Sequence, residues 1–226
     1  MNNSSAVAPP PVRPAWLAVL GVWVLVACVR SFAIPMPSGG FRDLEGYRAV
    51  FFHVPLAWTG CVAFLVAAVY GGQFLVRRDL RADAMACGAA ESGLVLCLLA
   101  TITGMIFAKT QWGVAWNWDP RQTSIFFVLL IYAAYLVLRQ AIGEDEALRA
   151  RLSAAYLLLA VVPMMWLVMV FPRTQPASLH PEKAPFEGPH WLLMFENFAG
   201  LLGLFVVLMC LHSATAKVHA AARERW

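Results

Sequence analysis

Three of the chain's nine tryptophans fall within seven residues, in Trp112-Gly113-Val114-Ala115-Trp116-Asn117-Trp118, and Asp119, Pro120 and Arg121 follow directly. An indole joins a large apolar ring to one N–H donor and favours the boundary between membrane and water. Three so close together exceed what anchoring one helix requires. They would make a flat aromatic shelf suited to a flat apolar ligand. Elsewhere, His53 sits about one turn inside an apolar run, in Phe51-Phe52-His53-Val54-Pro55, and His180 sits in a proline-rich loop. A histidine in hydrocarbon is costly and points to function. The plainer alternative is a ring hydrogen-bonded to a backbone carbonyl that Pro55 leaves free.

If the tryptophan stretch is helical, a rotation of about 100° per residue puts Trp112, Ala115, Trp116 and Asp119 on one face and sends Trp118 elsewhere. A short amphipathic segment would then lie along the membrane surface. The alternative is an aromatic belt followed by a helix start, with Asp119 as N-cap and Pro120 at the first helical position.

These residues need long apolar elements to position them. Of 226 residues, 61% are hydrophobic and 13% charged, against about 25% charged in a soluble domain. The expected fold is all-α: a polytopic membrane protein of six transmembrane helices. The predicted spans are Ala15 to Ile34, Val50 to Val76, Ala84 to Ala108, Thr123 to Leu138, Ala154 to Phe171 and Trp191 to His212, against a requirement of roughly 20 apolar residues each. Arg30 is expected to snorkel to the interface and Pro163 to kink its helix. Glu91 lies either near the inner interface or paired within the bundle. Residues 1–13 form a disordered N-terminus without signal-peptide features, 14–213 the six-helix domain, and 214–226 a basic tail. The five cysteines lie in apolar runs with no C-x-x-C, so neither disulfides nor a redox thiol centre is expected.

Basic residues orient the chain. Arg13, Arg77, Arg78, Arg81, Arg139, Arg149, Arg151, Lys217, Arg223 and Arg225 fall on one side, against Arg42, Arg48, Lys109, Arg121, Arg173 and Lys183 on the other. The richer side is expected to be cytoplasmic, which puts both termini inside. His53, the tryptophan stretch and His180 then share the outer face. Two imidazoles and an aromatic shelf are what a haem needs. Arg48 and Arg121 could hold its propionates. Asp119 could orient the shelf through an indole N–H or pair with Arg121. Zinc is a poorer fit, because two histidines and a distant acid do not supply three or four clustered ligands. His190, beside Trp191, is either a third ligand or an interfacial histidine. The net charge of +4 is no nucleic-acid signal in a membrane chain.

Trp112 to Arg121 resembles the tryptophan-rich "WWD"-type signature of the haem-handling membrane proteins of cytochrome c maturation, and is most similar to the CcmC family among them. Tyr47-Arg48 to Pro55 resembles that family's first outer-histidine segment, and Ser178-Leu179-His180 its second. The resemblance implies that His53 and His180 are axial ligands of haem b and that Trp112, Trp116, Trp118 and Asp119 belong to its platform. It also implies a multi-pass protein of the bacterial inner membrane that presents haem to a membrane-anchored periplasmic haem chaperone. The implied partners are an ABC-type ATPase subunit, a second membrane subunit and a small single-span subunit. The chain departs from the pattern at Ala115, where the family usually carries tryptophan, and at Gln175-Pro176-Ala177-Ser178, where many relatives carry aromatic residues.

No Walker A motif is present, so ATP hydrolysis would belong to a partner, and the chain is expected to carry haem rather than to act as an enzyme. Two other classes remain open. One is a permease subunit of an ABC exporter for another substrate, with the tryptophans as anchors. The other is a haem-dependent redox protein, which usually needs more outward histidines than His53, His180 and His190.

Overall fold

The computed structural model describes residues 12–37, 42–180 and 186–223. The expectation of disorder over residues 1–13 falls almost wholly outside these, as do Glu182, Lys183 and Arg225 from the expected loop and tail. The described chain is helical and contains no strand. Helices α1 (Pro14–Ala33), α2 (Leu44–Tyr47), α3 (Val50–Arg77), α4 (Leu80–Trp112), α5 (Pro120–Ala141), α6 (Glu146–Met165) and α7 (Gly188–Arg223) follow in order. They make up six segments long and apolar enough to cross a membrane, the second formed by α2 and α3 together. Such helices are apolar all round, since both lipid and neighbouring helices surround them.

Local chemistry sets the helix ends. Pro14 occupies the first turn of α1. Asp43, Asp79, Asp119 and Asp145 cap α2, α4, α5 and α6 through side-chain oxygens that accept backbone N–H groups. Arg78 (φ 56°) turns α3 directly into α4, and Gly113 (φ 84°) ends α4. α6 contains Pro163, then loosens into a π turn over Trp166–Val170 and a 3-10 turn over Phe171–Thr174.

The core lies among α3, α4, α5, α6 and α7, the last contributing Phe205 and Met209. Small residues let α3 and α4 approach closely. A Cβ on Gly60 would come 2.8 Å from Cys97 Sγ, and one on Gly93 would come 2.6 Å from the Phe64 ring. Phe64, Val128, Tyr132, Leu157 and Met164 are fully buried. α1 is peripheral and packs on α7, where Trp23 Nε1 donates to the Glu196 carbonyl and Asn197 Nδ2 donates to Ser31 Oγ. Arg30 pairs with the Glu196 carboxylate. Buried Asp83 takes two hydrogen bonds from Arg139, at 2.7 and 2.9 Å, linking α4 to α5. Glu91 faces outward from α4, so it is not paired within the bundle. All five cysteines carry free thiols.

Candidate functional site

The tryptophan stretch is not a surface helix. α4 runs on to Trp112, and residues 113–119 form an irregular loop before α5. The shared face expected of Trp112, Ala115, Trp116 and Asp119 therefore does not form. Side chains hold the loop instead. Gln122 Nε2 donates to the Ala115 carbonyl, and Gln122 Oε1 accepts from the Asn117 N–H, each at 3.0 Å. Lys109 Nζ donates to the Gly113 carbonyl, and Asp119 N–H donates to Asn117 Oδ1. Trp118 sits at φ 60°, a strained conformation for so bulky a residue. That backbone throws its indole outward, 62% exposed, edge-on to Trp116 and Phe126.

A cavity opens where α3, α4, α5 and the turns after α6 meet. Its walls include His53, Gly104, Trp112, Trp116, Arg121, Gln122, Ser124, Leu167, Pro172 and His180. Trp112 stands edge-on to His180, with ring centroids 5.0 Å apart. One to three turns beneath the lining residues, Phe64, Val128, Tyr132 and Met164 close the bundle.

Both histidines are held by Nδ1. His53 Nδ1 lies 2.7 Å from the Ala100 carbonyl. A carbonyl only accepts, so Nδ1 carries the proton and Nε2 keeps its lone pair. Gly104 makes this contact possible, because a Cβ there would meet His53 Cε1 at 2.7 Å. The carbonyl engaged belongs to the neighbouring helix, not to the residue freed by Pro55. His180 Nδ1 lies 2.9 Å from Asp119 Oδ1, which likewise leaves Nε2 unprotonated. A histidine whose second nitrogen is tied to a carboxylate or carbonyl is oriented as metal ligands are. Burial holds the His180 imidazole down to about 4, with Arg121 adding to the depression and Asp119 opposing it. The ring is thus neutral at pH 7.

Asp119 is where three segments meet. Its carboxylate accepts from the Arg121 N–H at 2.9 Å as the α5 cap, from the Leu179 N–H at 2.6 Å, from Ser178 Oγ at 3.2 Å, and from His180. Burial alone would raise its pKa, but these donors and the nearby imidazole hold it below the usual carboxylate value. Asp119 bonds neither an indole nor the Arg121 guanidinium; it serves as helix cap and histidine anchor together.

The two arginines separate. Arg121 lines the cavity, and its Nε is buried without an acceptor among the described residues. Arg48 lies outside the lining. Its guanidinium meets Glu45 and donates to the carbonyls of Ser31 and Ile34, which ties α2 to the end of α1. The expected propionate role for Arg48 finds no support in this geometry. His190 is buried, with Nε2 2.9 Å from the Pro35 carbonyl and its ring stacked against Phe186 and Phe51. It is neither in the cavity lining nor exposed at an interface. Sequence patterns did not single out Gln122 or Ala100. Gln122 carried only the signal of a polar side chain three residues past the cap. Gly104 lies in an apolar run, where a glycine signals close helix contact and not a place for an imidazole.

This arrangement defines a class: a polytopic helical membrane protein with a tryptophan-walled, two-histidine cavity at one end of its bundle. The chain belongs to the CcmC family, described as Heme exporter protein C, whose match covers residues 7–226. It is 36% identical over 114 residues to Heme exporter protein C of Paracoccus denitrificans, covering 48% of this chain and 47% of that one. It is 30% identical over 144 residues to the protein of that name from Bradyrhizobium diazoefficiens, covering 64% and 53%. With the Escherichia coli (strain K12) protein of that name, identity is 31% over 150 residues, covering 65% and 59%. The chain thus spans roughly half the length of the curated relatives it matches.

Proposed function

We propose that this chain binds haem b in the cavity, with His53 and His180 as axial ligands, and passes it on for cytochrome c maturation. One observation carries the reading: each histidine has its Nδ1 bound to a fixed acceptor, which leaves each Nε2 available to one cavity. Haem supplies an iron that takes two imidazole nitrogens and two carboxylates that need a cation. Trp112 and Trp116 offer apolar walls, and the acceptor-free Nε of Arg121 offers the propionate partner. The shared name of the relatives, Heme exporter protein C, supports haem as the cargo. Trp118, turned outward, is suited to meeting a docking protein rather than to walling the cavity.

The cavity faces the periplasm in this proposal, following the distribution of basic residues. Haem then goes to a membrane-anchored haem chaperone, within a complex whose ABC-type ATPase, second membrane subunit and small single-span subunit complete the machine. The chain itself holds and releases cargo and catalyses no reaction. The test is an absorption spectrum of purified protein, oxidised and reduced, for wild type, His53→Ala and His180→Ala. A low-spin haem spectrum in wild type, altered in each variant, is expected. A wild type that stays colourless on addition of haem would overturn the proposal and favour a permease for another substrate.

A further inference from the structure

Glu91 stands about 16 Å along α4 from Leu80 and about 27 Å from Lys109, at 1.5 Å per residue. It is therefore well inside the apolar span. Its side chain is exposed on the outside of the bundle, and its one described partner is Cys87 Sγ, a weak donor on the same helix. Two other carboxylates on the spanning helices have basic partners: Asp83 pairs with Arg139, and Glu196 with Arg30. Val95, Leu98, Ile102 and Ile106 continue the same outward face of α4 at helical spacing, each about half exposed. Lipid tails would leave the carboxylate without a partner, which hydrocarbon penalises strongly. A second copy docked on this face would bring like charges together, because the stripe carries no base among its described residues.

We infer that this face of α4 docks a transmembrane helix of a partner membrane protein, and that the helix presents a lysine or arginine to Glu91. The apolar stripe supplies the packing surface, and the carboxylate fixes register and choice of partner. Buried polar pairs serve the same purpose between other membrane helices.

The test places a photocross-linking residue at Val95 in native membranes, with Leu159 on α6 as an exposed control. Adducts are identified by mass spectrometry, and far-UV circular dichroism of each variant monitors folding independently of haem. The expected adduct at Val95 is one integral membrane polypeptide other than this chain, attached through an apolar segment that contains a base. Glu91→Lys is expected to lower its yield at least tenfold and Glu91→Gln to lower it less, while Leu159 gives no such adduct. Changing the partner's base to glutamate is expected to restore the yield with Glu91→Lys. Lipid adducts alone, an adduct of twice the chain's mass, or a yield indifferent to the charge at position 91 would each overturn the inference.

Discussion

The Asp119 carboxylate accepts a hydrogen bond from His180 Nδ1 at 2.9 Å while it caps the helix that starts at Pro120. One side chain thereby joins the start of α5 to the loop that carries a proposed iron ligand. Asp119→Asn keeps the size but removes the charge and one acceptor. A 10- to 100-fold loss of haem affinity is expected, the usual range when a ligand's supporting partner is removed. Asp119→Ala should also lose about 1 kcal/mol of stability with the cap. Haem titration and thermal unfolding of the same preparations separate the two effects.

Gly104→Ala tests the other ligand without touching it. The added methyl would lie 2.7 Å from His53 Cε1 and 2.9 Å from Nδ1, so the imidazole must leave the Ala100 carbonyl. Helix propensity favours alanine by up to about 1 kcal/mol, so α4 itself should tolerate the change. The low-spin haem spectrum is expected to be lost while helix content by circular dichroism is kept. An unchanged spectrum would show that His53 is not held in this way.

The His180 imidazole titrates near 4 in the fold, against 6.5 for an ordinary histidine. Between those values the unfolded chain binds a proton that the folded chain refuses. Stability from this group is therefore full above pH 6.5 and is lost as pH falls toward 4, by about 3 kcal/mol in all at 1.36 kcal/mol per unit. Thermal unfolding of the haem-free protein between pH 7 and 4 should show that slope, and His180→Asn should flatten it. Because Nε2 stays unprotonated, haem binding should persist well below pH 6.

Arg121 and Arg48 should separate cleanly. Arg121→Ala is expected to weaken haem binding about 10- to 100-fold, as for a hydrogen bond to a charged group. It should leave affinity for haem dimethyl ester, which lacks carboxylates, nearly unchanged. Arg48→Ala should leave the haem spectrum intact and lower thermal stability, since its guanidinium holds the Ser31 and Ile34 carbonyls at the end of α1.

Gln122→Leu removes both hydrogen bonds that shape residues 115–117. The loop should then lose its fixed form, which would shift tryptophan fluorescence and increase proteolysis between α4 and α5. A wild-type emission spectrum and cleavage pattern would show that Asn117 and Lys109 suffice to hold the loop.

The six spans were legible because apolar length is a local property, and each appears in the structure, all but the first extending beyond the expected bounds. The start of α5 was equally legible, since an aspartate before a proline carries cap chemistry within two residues. His53, His180 and Arg121 could be named as candidates because a polar group in or beside an apolar run stands out. The loop at 113–119 was not legible: its shape depends on Gln122 reaching back and on Gly113 ending α4, which periodicity does not encode. Arg48 looked like a site residue because its charge was visible and its partners were not. Glu45 is three residues away, but the Ser31 and Ile34 carbonyls arrive only once α1 and α3 meet. Glu91 likewise shows its charge in the sequence, while the direction it faces depends on how α4 packs.

Beneath the cavity, Phe64, Val128, Tyr132 and Met164 leave the bundle solid. A compartment built this way is a berth rather than a corridor. If haem is the cargo, as proposed, it would arrive and depart through the same mouth, and the shape of the chain would impose no direction. On the proposed reading, direction would come from a receiver that binds the cargo more tightly or grips it while one histidine lets go. The His180 side offers the easier release, because that ring hangs from a loop by one carboxylate, whereas His53 is built into a helix.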